Sequence, residues 1–317
     1  MAHVWTIEAE RLVAVDRADA EADEPSSRIE LMGFDDAERA FADRPLLEVL
    51  AQAKHAAVPF VEQVGKSAAG IVVLPAGAAK ASTAVRFGFM LTERGLVLFD
   101  DCGVCEPVIA RLIEGSVPVE SLAAVLCALL RAPLRDHPAL LSRVRDDFEQ
   151  VEERLLEGRT RVDRSRMISD ARHMRGLDVF YQGISDMLDT LANGGATVLD
   201  ADDRARFAAL ARQVDRLVTR LESLQDFSLQ VHGMYQEEID LRQNSIMQWL
   251  TVVATIAMPL TFITSWYGMN FRNMALINVA WGYPVAAALC LLVALGEIAV
   301  FHRRGWLKFR DGKRRRR

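Results

Sequence analysis

Residues 249 to 270 read Trp249-Leu250-Thr251-Val252-Val253-Ala254-Thr255-Ile256-Ala257-Met258-Pro259-Leu260-Thr261-Phe262-Ile263-Thr264-Ser265-Trp266-Tyr267-Gly268-Met269-Asn270, and the fold of the whole chain follows from what this stretch can be. From Trp249 to Trp266 there is no charged side chain. As a helix that run is about 26 Å long, close to the roughly 30 Å hydrocarbon core of a bilayer. A second apolar run, Tyr283 to Phe301, has similar length and one acid, Glu297. Trp249 and Trp306 fall at one membrane interface, and Trp266, Tyr267, Trp281 and Tyr283 at the other, as aromatic belts do. Two spans joined by a short outer loop are predicted.

Charge sets the orientation. Arg303 to Arg317 hold nine Lys/Arg against one acid, Asp311, a net of +8. With −5 overall, residues 1–302 carry −13. An acidic body is unsuited to nucleic acid, whose phosphates need clustered Lys/Arg. The connecting loop has a single charge, Arg272. Positive-inside therefore places the tail and the body in the cytosol, with both termini cytoplasmic, in a multi-pass protein of the inner (plasma) membrane. Met1 to Arg11 lack the basic and apolar regions of a signal peptide, which agrees with a cytosolic amino-terminal body. Cys102, Cys105, Cys127 and Cys290 are too few for a disulfide framework.

Upstream of the first span a long helix is predicted. Phe207, Leu210, Val214, Leu217, Leu221, Leu224, Ser228, Val231 and Tyr235 recur at three- and four-residue steps from about Asp202 onward. Pro259 is the first strong breaker, so a helix unbroken to Met269 would be roughly 100 Å long, a stalk that becomes a span. Two further helices precede it. One carries Leu140, Leu141, Val144, Phe148, Val151 and Leu155 and ends near Gly158; the other runs from about Ser165 to Leu191 and ends at Asn193-Gly194-Gly195. Before these, Val4 to Ile7, Leu12 to Val15 and Gly70 to Leu74 read as short strands. Ala84 to Leu91 and Leu96 to Phe99 read as a hairpin about Thr92 to Gly95. Asp16 to Glu24 reads as loop, Pro45 to Leu50 as helix, and Pro107 to Glu114 and Val119 to Leu130 as helices. Strands flanked by helices make an α/β layer domain.

The fold class is thus a membrane protein with a cytosolic α/β domain, a long stalk helix and two C-terminal transmembrane helices. Its divisions are the α/β domain over residues 1–135, a helical segment over 136–201 and the stalk over 202–245. The first span covers 246–267, the outer loop 268–282, the second span 283–302 and the basic tail 303–317.

One face of the first span carries the function. Asn244, Met247, Thr251, Ala254, Met258, Thr261, Ser265 and Gly268 form a polar-or-small stripe with two methionines, beside an apolar face of Ile246, Val253, Ile256, Leu260 and Ile263. Such a stripe is either a helix-packing seam or a conducting wall. Asn244, the hydroxyls, and Glu237 and Asp240 continuing the face as an inner acidic ring favour conduction of cations. One hairpin cannot enclose a path, so several copies around an axis are needed.

Met258-Pro259-Leu260-Thr261-Phe262, Tyr267-Gly268-Met269-Asn270, Gly282-Tyr283-Pro284 and Arg304-Gly305-Trp306-Leu307 together resemble the CorA family of divalent-cation transporters. The resemblance implies a funnel-shaped homopentamer conducting Mg2+ and Co2+, with Gly268, Met269 and Asn270 at the outer mouth and Asn270 holding a hydrated cation. It implies apolar constrictions at Met247, Leu250 and Met258, polar rings at Asn244 and Thr261, and Thr251 and Ser265 along the same wall. Members of the family commonly carry Met-Pro-Glu-Leu in the outer loop; here Met274-Ala275-Leu276-Ile277 stands there, and the loop has no acid. That departure keeps open a Zn2+ (or Ni2+) transporter, proton-coupled or not, on the same scaffold.

Other groups have competing readings. Cys102-Gly103-Val104-Cys105 is either a chance pair or a metal-sensing or redox site, which in a membrane-anchored sensor would replace transport. Glu297 is expected to pair with Arg303, and Asp202, Asp203, Asp215 and Asp226 to lie on solvated faces. No Ser/His/Asp set, phosphate loop or carboxylate pair supports an enzyme.

Overall fold

The computed structural model describes residues 3–8, 10–15, 27–40, 55–75, 85–93, 95–115, 119–158, 163–194, 198–269 and 281–306. Asp16 to Glu24, Pro45 to Leu50, Asn270, Arg272 and the tail beyond Trp306 lie outside the described residues. The chain forms two compact units, residues 1–148 with 163–229, and 149–162 with 230–317.

In the first unit β1 (His3–Glu8), β2 (Arg11–Val15), β3 (Arg28–Met32), β4 (Phe60–Val64), β5 (Ser67–Val73), β6 (Arg86–Leu91) and β7 (Gly95–Phe99) make one sheet in the order β2-β1-β3-β7-β6-β5-β4. Only β3 and β7 pair in parallel among these neighbours. The expected hairpin is β6 and β7, and Thr92 Oγ1 accepts the Gly95 N–H at 3.1 Å to close its turn. Strand periodicity divides the central strands between two cores. Ala69, Ile71, Val73, Met90 and Phe99 pack with Met32, Phe34 and Ala37 around α1 (Phe34–Ala40). Val72, Phe87, Phe89, Leu96 and Leu98 alternate with them and are also buried. Helices pack on the sheet: α2 (Glu106–Ile113) contacts β2, α3 (Leu122–Arg131) contacts β7, and α5 (Arg164–Asn193) contacts β4 and β5. Burial on both faces explains why these strands read as apolar runs.

α3 begins three residues later than the sequence suggests. Ser121 is extended (φ −149°, ψ 164°) and its side chain accepts the Ala124 N–H, so the helix starts at Leu122. α4 (His137–Leu156) ends where Gly158 turns at φ +75°. At the end of α5, Gly194 is in the extended region (φ −71°), not left-handed. A Cβ there would collide with the Thr190 carbonyl and the Gln63 amide, so space calls for this glycine.

Two other glycines of α5 give an internal test of packing. A Cβ on Gly183 would lie 2.7 Å from Pro59 Cδ and 2.9 Å from the Pro59 carbonyl, both rigid, whereas one on Gly176 meets nothing within 4 Å. For Gly183→Ala, overpacking of about 1–3 kcal/mol outweighs the roughly 1 kcal/mol gained in helix propensity. Gly176→Ala keeps only the gain. Thermal unfolding followed by circular dichroism is expected to show a lower midpoint for the first and a higher one for the second.

α6 (Ala201–Tyr267) is the long helix, 67 residues with Pro259 inside it, and α7 (Gly282–Arg303) follows. Its first part belongs to the sheet unit, where Phe207, Leu210, Val214 and Leu221 are fully buried. There Asp203, expected on a solvated face, is buried instead; Ser121 Oγ donates to its carboxylate at 2.6 Å and Glu120 pairs with Arg206 beside it. Burial raises the Asp203 carboxyl above the usual range, the Ser121 hydrogen bond opposing.

Candidate functional site

Within the second unit, α6 and α7 each contain a stretch long and apolar enough to cross a membrane, and almost none of either stretch is buried. The core helix of a soluble protein would be covered. What cover there is follows one seam. On α6 it runs through Val252, which is 2% exposed, and the half-buried Ile256, Pro259, Leu260, Ile263 and Tyr267. On α7 it runs through Gly282, Ala286, Cys290, Val293, Ala294, Glu297 and Phe301. Both follow steps of three and four, and Leu289 of α7 shares an apolar groove with Phe262, Ile263, Trp266 and Tyr267 of α6. The seam is where the two helices meet.

Ala254, Met258, Thr261 and Ser265 each stand two positions before a seam residue, about 200° round the helix. They and the rest of the stripe (Asn244, Met247, Thr251 and Gly268) are exposed, as are Glu237, Asp240, Leu250 and Met269. So α7 covers one side of α6 and leaves the sequence-defined stripe bare on the opposite side. The apolar face read from the sequence is divided. Ile256, Leu260 and Ile263 join the seam, while Ile246 (62% exposed) and Val253 (57%) do not.

Three threonine hydroxyls in the apolar part of α6 bond back to the preceding turn. Thr251 donates to the Met247 carbonyl at 2.9 Å, Thr255 to Thr251 at 2.8 Å, and Thr261 to Ala257 at 2.8 Å. With each hydrogen committed to the backbone, each oxygen offers lone pairs outward, the acceptors that the water shell of a hydrated cation requires. Pro259 has no N–H, so the Thr255 carbonyl lacks its i+4 helical donor. Gly268 N–H bonds to the Thr264 carbonyl at 2.9 Å and closes the helix just before the Asn270 position.

Elsewhere, no three His, Cys, Asp or Glu side chains converge to hold a metal among the described residues. Asp215 accepts from Ser185 Oγ at 3.2 Å. In the Cys102 to Cys105 turn the Asp100 carboxylate accepts both backbone N–H groups, at 2.8 and 2.6 Å, so the spacing serves a turn. Cys105 is buried, and burial first, then the Asp100 charge, pushes its thiol far above the ordinary range. Cys102 is exposed. Of these two thiols a maleimide is expected to modify Cys102 and spare Cys105 in the native protein, read by mass spectrometry of the labelled peptide. His137, at the start of α4, is lowered to about 4, chiefly by burial and then by His173. Glu297 does not reach Arg303: its Oε2 is buried without a hydrogen-bond partner.

An α/β body, a 67-residue helix running into the first of two apolar helices, and a bare polar-or-small stripe on that helix define a two-span membrane protein. The chain belongs to the CorA-like Mg2+ transporter protein family, whose model matches residues 79–303. A cobalt/magnesium transport protein CorA of Thermotoga maritima is 26% identical over 222 residues, 69% of this chain and 63% of its own length. The chain therefore matches less than two thirds of that relative. The complete structure of a CorA magnesium transporter from Methanocaldococcus jannaschii superposes with a TM-score of 0.77 at 19% identity, covering 97% of this chain and 99% of the other. The cytoplasmic domain of ZntB from Vibrio parahaemolyticus gives 0.53 at 13% identity, over 76% of this chain and 97% of that one.

Proposed function

We propose that the chain is one subunit of a homopentameric divalent-cation channel in the plasma membrane, carrying Mg2+ and Co2+ down the membrane potential. Five copies of α6 present the stripe to a common axis and five copies of α7 stand outside them. The observation that carries this reading is the bare stripe: α7 covers the seam and leaves Asn244, Met247, Thr251, Met258, Thr261 and Ser265 without cover in the single chain. A polar wall facing lipid is costly, and closing a ring of copies removes that cost.

Asn270 holds the hydrated ion at the outer mouth. Mg2+ sheds water reluctantly, and neutral amide and hydroxyl oxygens suit an ion that keeps its shell. Met247, Leu250 and Met258 are the apolar constrictions, and Glu237 and Asp240 raise cation concentration at the inner end. Both termini are cytoplasmic, so the potential drives uptake at about 2.3 kcal/mol per charge per 100 mV.

A zinc transporter on the same scaffold is favoured by one observation, the loop 268–282 with Arg272 and no acid, which repels cations where an acidic ring would collect them. One preparation in liposomes, offered Mg2+, Co2+, Ni2+ and Zn2+ in turn, decides. Mg2+ and Co2+ entry that follows an imposed potential supports the first reading. Zn2+ entry that dominates and follows an imposed pH gradient supports the second. No flux of any of them removes both and leaves a membrane-anchored sensor.

A further inference from the structure

α7 ends in a Schellman turn. Gly305 is left-handed (φ +73°) and its N–H bonds to the His302 carbonyl at 3.1 Å, while the Trp306 N–H reaches back to the Phe301 carbonyl at 3.0 Å. The Trp306 ring lies against Phe301, with centroids 5.7 Å apart and planes 33° apart. Two backward hydrogen bonds and an apolar contact across them are the parts of that motif. They take the chain off the α7 axis and hold Trp306 beside the last turn of the span. An indole there sits at the membrane–water interface, its ring in the apolar layer and its N–H toward the headgroups.

The same turn carries uncompensated charge. Arg303 and Arg304 are exposed, and among the described residues no carboxylate pairs with either. The sequence continues Leu307-Lys308-Phe309-Arg310, then Lys313 to Arg317. A residue adds at most about 3.6 Å of reach, so Lys308 stays within about 7 Å of Trp306 in any conformation. That is inside the roughly 8 Å over which physiological salt leaves a charge effective. The cations therefore begin at the depth of the lipid phosphates and are tied there by the indole. A guanidinium matches a phosphate with parallel N–H donors. Nucleic acid offers phosphates too, but residues 1–302, at −13, repel a long polyanion.

We propose that the turn from Arg303 to Trp306 is a binding site for anionic lipid, with Arg303 and Arg304 on the headgroup phosphate, Trp306 at the base of the headgroup, and the basic residues that follow adding attraction. The site rests on the two-span membrane assignment and not on conduction. In the orientation proposed above, its lipids are those of the cytoplasmic leaflet.

Native mass spectrometry of the purified protein in detergent, titrated with phosphatidylglycerol or with phosphatidylcholine, tests the site without reference to flux, so a chain that conducts nothing still gives an answer. The wild type is expected to bind phosphatidylglycerol in preference. At about fivefold for each cation beside an anionic headgroup, Arg303→Gln with Arg304→Gln lowers that affinity about 25-fold and leaves phosphatidylcholine unchanged. Lys313→Gln with Arg314→Gln removes the same charge further from Trp306 and is expected to cost less than fivefold. A loss in this distal pair as large as in the first overturns the assignment to the turn. No preference of the wild type for phosphatidylglycerol overturns the proposal outright, and an oligodeoxynucleotide that displaces phosphatidylglycerol at equal phosphate concentration overturns the choice of partner.

Discussion

Asn270→Ala is expected to abolish divalent uptake into liposomes while leaving the oligomer intact. In the proposed pentamer the substitution removes five amides at once from the ring that meets the incoming ion. A hydrated divalent cation presents polarised water hydrogens, and each hydrogen bond to such a charged assembly is worth about 1.5–3 kcal/mol. Loss of even one is about a tenfold effect, since 1.4 kcal/mol is a factor of ten. The loop offers no acid in compensation, since residues 268–282 contain none, and Arg272 repels the ion. The measurement is initial uptake with a fluorescent Mg2+ indicator, paired with size-exclusion chromatography of the same preparation. Uptake kept at the wild-type rate by an intact oligomer would sink the mouth assignment.

The parts of the fold legible in sequence are those governed by one dominant force. An uncharged run from Trp249 to Trp266 has few alternatives to a membrane, and the stripe from Phe207 to Tyr235 holds no proline and has Gly233 as its one weak point. The missing parts are short. β3 has Arg28 and Glu30 paired at 2.8 Å among its five residues, and α1 has only seven residues, too few for a helical period to stand out. β4 is legible only beside β5, with which it pairs from Phe60↔Ile71 to Val64↔Ser67.

The site divides in the same way. The stripe could be read because polar residues in an apolar helix mark themselves. Which apolar residues meet α7 could not, because lipid and a neighbouring helix look alike to hydropathy. Ile256 and Val253 are equally apolar, and only the folded hairpin separates them. Asp203 differs from Asp202 through Ser121, 82 residues away in sequence, a partner that no local pattern announces.

The same ambiguity makes Met258 the decisive residue for the interior of the path. It is 73% exposed in the single chain and stands two positions before Leu260 on the seam, while Val253, 57% exposed, lies on the flank read as lipid-facing. If Met258 closes the path by excluding water, Met258→Ser wets the constriction in every copy. Burying or exposing one such side chain is worth about 1.5–3 kcal/mol, so loosening the ring by even part of that amount raises basal uptake about tenfold or more. Serine adds no charge and bonds its hydroxyl to the preceding turn, as the neighbouring threonines do, so the helix is kept. Val253→Ser is the control and is expected to leave basal uptake where it was. Stopped-flow uptake without an imposed potential separates the two outcomes. A faster leak in Met258→Ser alone places the water-excluding ring on the bare face of α6; a leak in Val253→Ser alone would turn the helix round and move the pathway to the other side.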